Sequence, residues 1–432
     1  MSLPPNGLQH LLIFEPDSRG HAAEWIEHLL RAVHRQRSVS QITLAVPVTL
    51  ADEILGNGAE PWRSYTCVLP LRRTEIALCN SRFLPASGFA RWWVMRRGLK
   101  RTRADHGLFL GIDHLTLPLG MGLGFGDRQV SGVLFRPSIH YKHEANRPPS
   151  LFERVRDLRK TLLYRLTLRN PAVRSLRSLD PYFPAYAAMR FPYSEKIQSV
   201  PDPAHPFVPN GETDDMDDAP QSERPPPGRV LFVIFGVLSE RKGVLTLIEA
   251  LRRLESRYTS AIAVYAAGEV DPGIRRRLQV MISELAEVRP ELWWKLENRR
   301  LTTANIAALV HRADVVLAPY QRFVGSSGVL LWAAKVGKPV ITQDYGLLGR
   351  LVREYGLGLA TDTSDPSALA AAIAAAVRHG PQTLGDADGM TRFIASRTPE
   401  SFAASILEGV HGTSHFRSPV AFQRTANADA TD

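Results

Sequence analysis

Residues 230–251 carry the pattern that most restricts the fold of this chain. Val230-Leu231-Phe232-Val233-Ile234-Phe235 is an unbroken apolar run. A strand with one face in water would alternate polar and apolar residues. This run does not, so it predicts a strand buried on both faces, as in a parallel sheet covered by helices. A loop bounded by Gly236 and Gly243 follows, and then a helical pattern over 244–257. The same grammar continues with a strand at 261–267, a helix at 305–312, a strand at 314–318 and the loop Gly325-Ser326-Ser327-Gly328. A helix at 329–336 and a strand at 339–342 come next. An Ala-rich helix at 367–377 packs on this sheet, and 402–410 forms a last helix.

The first half shows a second unit of the same kind. Leu11-Leu12-Ile13-Phe14 is a short strand that ends in Glu15-Pro16-Asp17-Ser18-Arg19-Gly20-His21. A helix at 22–33 and a strand at 41–46 complete a βαβ start, with further strands at 108–112 and 132–135. The expected class is α/β, with two Rossmann-like domains. The divisions are 1–205, a linker at 206–228, 229–380, a helical segment at 381–411 and a disordered tail at 412–432.

Several classes are excluded. Cys67 and Cys79 are the two cysteines of the 432 residues, so there is no disulfide framework and no Cys/His metal spacing. No apolar run approaches the roughly 20 residues that cross a bilayer, and residues 1–10 lack signal-peptide character. The expected location is cytoplasmic, peripheral at the inner face of a membrane. The linker's Asp214-Asp215-Met216-Asp217-Asp218 has the look of a metal-binding DxD motif, but its Pro-rich surroundings favour a solvated acidic linker. No metal and no cofactor are expected.

Two loops carry site chemistry. Gly325-Ser326-Ser327-Gly328 joins a strand to a helix, where unpaired N–H groups and the helix dipole attract an anion; a plain helix cap is the alternative. Gly236 to Gly243 is a second such loop, with Arg241 and Lys242 near its end, able to bind a diphosphate or to stand as a surface basic pair. In an open parallel sheet both loops lie at carboxyl ends of strands, where ligands bind.

On these stretches the chain resembles the nucleotide-binding domain of the GT-B glycosyltransferases, in particular the large family-four (group 1) set of retaining enzymes. Residues 235–251 carry the resemblance, with Ala313-Asp314-Val315-Val316-Leu317-Ala318-Pro319-Tyr320, Gly337-Lys338-Pro339-Val340-Ile341, residues 345–352 and Gly356-Leu357-Gly358. It spans about 150 residues in consistent order. In the first half Gly20-His21 and residues 180–203 extend it weakly. It implies two Rossmann-like domains facing each other across a cleft, and a nucleotide-sugar as substrate. Three departures stand out. Val237 occupies the place of the usual arginine, and Val324 and Trp332 occupy the places of two glutamates eight residues apart. The second of those contacts the donor ribose in the family, and the first lies near the sugar. Lys242 matches the family lysine. The resemblance thus implies a nucleotide-sugar fold without the family's usual donor contacts. The loop chemistry offers Gly236, Arg241, Lys242, Gly325, Ser326, Ser327 and Gly328 as donor-binding candidates, with Arg241 in place of the missing arginine and the Gly325 to Gly328 loop in place of the missing carboxylates.

The acceptor side falls to the first half. His21, Asp113 and His140 lie at loops after strands and are candidates for the base or orienting group on an acceptor hydroxyl; a structural or capping role is the alternative for each. Residues 1–200 hold 28 Lys+Arg and 16 Asp+Glu, whereas 201–432 hold 25 and 27. The whole cationic excess therefore belongs to the acceptor side. Residues 91–103 hold six cations and two tryptophans, and 151–179 hold eight cations at helical spacing, with Leu162, Leu163, Leu166 and Leu176 for an apolar face. These segments suggest an anionic membrane surface as partner; no nucleic-acid motif accompanies the charge. The expected function is transfer of a hexosyl or similar sugar from a nucleotide-activated donor to a glycan or lipid-linked acceptor, in polysaccharide or glycolipid biosynthesis. The alternative is a catalytically inactive GT-B-fold binding or scaffold protein.

Overall fold

The computed structural model describes residues 8–18, 22–56, 61–141, 151–204 and 224–411. The first sheet holds seven strands: β1 (His10–Phe14), β2 (Gln41–Ala45), β3 (Thr66–Val68), β4 (His106–Phe109), β5 (Gln129–Leu134), β6 (Val173–Ser178) and β7 (Ile197–Ser199). Their order is β3-β2-β1-β4-β5-β6-β7, and every pair is parallel. The chain winds outward from β1 to β3 and then resumes on the other side of β1 with β4. The carboxyl ends of β1 and β4 therefore flank a topological switch point, where open α/β sheets form a ligand crevice.

The second sheet has six parallel strands in the order β10-β9-β8-β11-β12-β13. They are β8 (Val230–Phe235), β9 (Ile262–Ala267), β10 (Trp293–Glu297), β11 (Val315–Ala318), β12 (Val340–Gln343) and β13 (Gly358–Thr361). Its switch point lies between β8 and β11, so the two site loops leave adjacent strand ends. The apolar run of β8 is explained by its two faces. Leu231, Val233 and Phe235 enter one apolar cluster, and Phe232 and Ile234 enter the other. Strand β1 does the same with Leu12 and Phe14 against Leu11 and Ile13.

Some expected elements change. The strand expected at 108–112 lies at 106–109 and starts on a buried histidine. His106 Nε2 meets Ser131 Oγ at 3.0 Å, and burial pushes the imidazole down to about 3. A polar residue can occupy this inward position because it is neutral and bonded. The helix expected over 244–257 runs Val244–Arg253, and an extended Leu254 ends it. The helical reading of 151–179 stops at Arg169. Asn170 gives its amide to the carbonyls of Leu119 and Leu123 and takes the N–H of Ala172, Pro171 cannot continue a helix, and the chain turns into β6. Leu176 is therefore a buried strand residue and not part of a helix face.

The stretch 91–103 belongs to the helix Leu84–Thr102, but much of it faces inward. Arg91 is buried, donating to the carbonyl of Cys79 (3.1 Å) and to Asn80 Oδ1 (3.1 Å). Val94, Met95 and Leu99 lie in the core. At the other end of the chain the helix Pro399–His411 returns to the first sheet. Phe402, Ile406, Leu407 and Val410 join the cluster around β1, and Ser131 and Ser175 hydroxyls donate to the Gly409 carbonyl. Residues 206–223 with the Asp214 to Asp218 cluster, His21, and the tail at 412–432 fall outside the described residues. Among the described residues no helix is long and apolar enough to cross a membrane.

Candidate functional site

The two sequence loops of the second sheet meet. After β8, Gly236 takes φ +95°, and Ser239 caps a short turn that carries Arg241 and Lys242. Gly243 then adopts φ +83°, and a Cβ there would lie 1.8 Å from the carbonyl oxygen of Pro319. Only glycine lets the β8 loop press against the segment after β11. That approach is fixed by the Gln321 N–H bonding the Arg241 carbonyl at 2.9 Å.

Tyr320 is the hub of the arrangement. It is buried, takes a hydrogen bond from Lys242 Nζ at 3.1 Å and meets Ser327 Oγ at 2.8 Å. Burial alone would raise the phenol, yet Lys242, the Ser327 bond and Arg241 bring it below its ordinary value. Lys242 is itself buried, with its ammonium over the Tyr320 ring. Arg241 lies with its guanidinium 4.7 Å from the Phe323 ring centre and 5.6 Å from that of Tyr320. Ser327 also caps the helix Gly328–Lys335 by accepting from Val329 N. Arg241, Lys242, Ser327 and the N-terminus of that helix thus form one cluster around two aromatic rings.

The first domain reaches into the same place. Arg136, just past β5, puts its guanidinium 5.6 Å from the other contact of Arg241, the Phe323 ring. A Cβ on Gly325 would stand 3.2 Å from Arg136 Cγ. Loss of water contact and then the charge of Arg241 lower the Arg136 pKa. Asp202 accepts from Ser326 Oγ at 2.5 Å, so one loop serine is committed to an interdomain contact. Farther along, Tyr182 bonds Glu354, and Arg350 lies over the rings of Tyr141 and Tyr182. Among the described residues no carboxylate pairs with Arg136, Arg241 or Lys242. Cations that converge from two domains beside a helix N-terminus, with Asp113 as the carboxylate acting on Arg136 among the described residues, suit an anion.

The acceptor-side candidates fare differently. Asp113 accepts from the backbone N–H of Phe135 (2.8 Å) and of Arg136 (3.0 Å), which fixes the strand end that carries Arg136. His140 is buried among Tyr141, Phe183 and Tyr186, with Nε2 3.0 Å from Asp180 Oδ2 and Nδ1 unpartnered. Asp180 also receives Tyr141 Oη (2.5 Å) and Tyr182 N (2.9 Å). The structure therefore unites Arg241, Lys242, Ser327 and Gly328 directly, and Gly325, Ser326 and Asp113 through Arg136 and Asp202. It keeps His140 in its own buried pair. Gly236 serves the same loop from its start, where a Cβ on Gly268 would lie 1.9 Å from its carbonyl oxygen.

Sequence reasoning missed Arg136, Tyr320, Phe323, Asp202 and Glu15 as site residues. A cation directly after the apolar strand at 129–134 was the available signal for Arg136. Glu15 follows β1 at the switch point, nine-tenths buried, and burial pushes its carboxyl up to about 7 against the opposing Asp17 N–H bond and Arg91. His114 bonds Ser87 Oγ at 3.2 Å, and burial, then Arg91, hold its pKa down, with Asp113 opposing and Arg136 adding to the effect.

Residues 229–379 match the family model described as Glycosyl transferases group 1. No curated protein matches the chain in sequence. Solved structures match over nearly the whole length. HepE of Anabaena in complex with UDP aligns with TM-score 0.62 at 15% identity, covering 93% of this chain and 99% of its own. WaaG, a glycosyltransferase involved in lipopolysaccharide biosynthesis, gives 0.61 at 14%, with coverage of 93% and 100%. Sucrose-phosphate synthase of Thermosynechococcus elongatus gives 0.64 at 16%, with 93% and 98%. Two parallel, doubly wound sheets, a clustered loop site between them and these alignments agree: the chain has the GT-B glycosyltransferase fold, and its residues 229–379 match the group 1 glycosyl transferases.

Proposed function

We propose that the protein transfers a hexosyl or similar sugar from a nucleoside-diphosphate donor to a glycan or a lipid-linked acceptor in polysaccharide or glycolipid assembly. The observation that carries this reading is the convergence of Arg136, Arg241 and Lys242 on Tyr320 and Phe323 beside the Ser327-capped helix, with no carboxylate ion-paired to them among the described residues. As the sugar bond breaks, negative charge grows on the diphosphate. Fixed cations and N–H groups stabilise that charge without a metal. UDP fits the same chemistry, since HepE is solved with it. On the acceptor side Glu15, whose carboxyl titrates near neutrality, is suited to exchange a proton with an acceptor hydroxyl. Asp113 would act by holding Arg136, and His140 by its orientation on Asp180. His21 remains the loop candidate of the first βα turn. A lipid-linked acceptor would bring the protein to the inner face of a membrane, as a peripheral and not a spanning partner.

The test is calorimetry of the full chain against UDP, GDP and ADP, followed by turnover with the matching sugar nucleotides. Binding of one diphosphate supports the donor site, and binding of none overturns it. A second reading has its own observation. Trp332, where the resemblance expects the ribose-binding glutamate, is buried in the apolar cluster of the second domain. That favours a binding or scaffold protein with a GT-B fold, and it predicts nucleotide binding without any turnover.

A further inference from the structure

The helix Leu151–Arg169 presents an apolar stripe to water. Leu151, Val155, Leu158 and Leu162 are 78%, 66%, 70% and 54% exposed. Their spacing of four, three and four residues places them, at about 100° per residue, within a band roughly 60° wide. Large apolar side chains scattered singly on a surface mean little, but four in register on one helix form a face. The stripe is not a misplaced core face. The opposite side of the helix already packs, with Asp157, Tyr164, Thr167 and Leu168 buried and Thr167 Oγ1 donating to the Thr116 carbonyl.

Among the described residues the charges beside the stripe are all of one sign. Arg154 and Arg165 fall along one flank and Arg159 along the other, and Arg169 lies in line with its end; all four are exposed. Asp157 is turned inward, and Lys160 is drawn away to Ser138 Oγ at 2.7 Å. We infer that this face docks on an anionic lipid bilayer, with the stripe entering the headgroup layer and the arginines meeting lipid phosphates. Charge complementarity selects this occupant. Two copies joined stripe to stripe would set four arginines against four more, and a nucleic acid would leave the apolar stripe without a partner. The surface proposed lies on the helix at 151–169; the helix at 84–102 turns Arg91, Val94, Met95 and Leu99 inside the domain and leaves Leu84 and Trp93 exposed without a four-residue stripe. The inference rests on the proposed reaction only for its membrane setting, and its test reads binding without turnover.

The experiment is co-sedimentation of the full chain with vesicles of phosphatidylcholine alone and of phosphatidylcholine mixed with phosphatidylglycerol, at low and high salt. The chain should sediment with the anionic vesicles, less so in high salt, and not with phosphatidylcholine alone. Val155→Asp with Leu158→Asp, and separately Arg154→Gln with Arg159→Gln and Arg165→Gln, should each lower partitioning on the order of a hundredfold. Both variants should keep the parent melting temperature and UDP affinity, which separates failure of this surface from failure of the donor site. Absence of binding to anionic vesicles, parent-like binding by both variants, or a parent dimer that the aspartate variant dissolves would each overturn the inference.

Discussion

Lys242 shows how a site residue can be right in identity and different in character. Its ammonium is not a free arm reaching for phosphate. It is buried against Tyr320 and tied through that phenol to Ser327. Arg241 and Arg136 are the cations with donors to spare, so they should carry most of the direct diphosphate contact. Arg241→Ala and Arg136→Ala should each weaken nucleoside diphosphate binding by about 1.5–3 kcal/mol, the range for a charge-assisted hydrogen bond, in calorimetry. Unchanged affinity in both would remove the cross-domain site. Glu15 gives a second residue-scale prediction. In the folded chain its carboxyl titrates at about 7, against 4.5 in the unfolded chain. Between those values the folded protein holds the extra proton. Stability is therefore full below about pH 4.5 and falls as pH rises through about 7. At about 1.4 kcal/mol per pH unit, the loss is on the order of 3 kcal/mol. Glu15→Gln keeps an acceptor for the Asp17 N–H and removes the titration. Its melting temperature should overtake that of the parent as pH rises from about 5 to about 8; parallel melting curves across that range would refute the assignment. No sequence pattern marks Glu15, because its property comes from burial by residues distant in the chain.

At the scale of elements, legibility follows how local the determining contacts are. Strand β8 and the loop Gly236 to Gly243 could be read directly, since an unbroken apolar run needs two covered faces and Gly243 needs a left-handed backbone. The helix Leu151–Arg169 could be placed, but not its orientation. Leucines occur on more than one side of it, and the packing partner Gly120, which meets Leu163 and Leu166, lies elsewhere in the sequence. The end of that helix hinges on Asn170 reaching the carbonyls of Leu119 and Leu123, again a distant contact. The return of the helix Pro399–His411 to the first sheet was equally hidden. It depends on close approach at Gly409, where a Cβ would lie 2.6 Å from both Arg177 Nε and Ser175 Oγ. Gly409→Ala should therefore lower stability by about 1–3 kcal/mol, the usual cost of overpacking, and loosen the last helix. Thermal melting and hydrogen exchange at residues 399–411 read the two effects, and a parent-like variant would mean that the helix has room to shift.

For the molecule as a whole, the two domains are joined at the site by like charges. Arg136 and Arg241 approach the same Phe323 ring from opposite domains, and partial burial and then the charge of Arg241 lower the Arg136 pKa, with Asp113 acting against them. The closing contacts include Ser326 to Asp202, Tyr182 to Glu354, and Arg350 over Tyr141 and Tyr182, with Tyr141 also packed into the apolar cluster of the second domain. Such an interface leaves domain motion as the default. A diphosphate between the arginines would reverse the sign of their interaction and hold the cleft shut. A saturating nucleoside diphosphate should then reduce the radius of gyration measured by small-angle scattering. At a hundred times its dissociation constant it should also stabilise the fold by about 2.7 kcal/mol. Arg136→Ala separates closure from simple binding. If Arg136 is the bridge, the variant should still bind nucleotide weakly through Arg241 and the second domain. At ligand concentrations matched to its own affinity it should gain the same stability as the parent, yet show no compaction. Equal compaction in parent and variant would place the closing force in the Ser326 and Arg350 contacts instead of in the ligand.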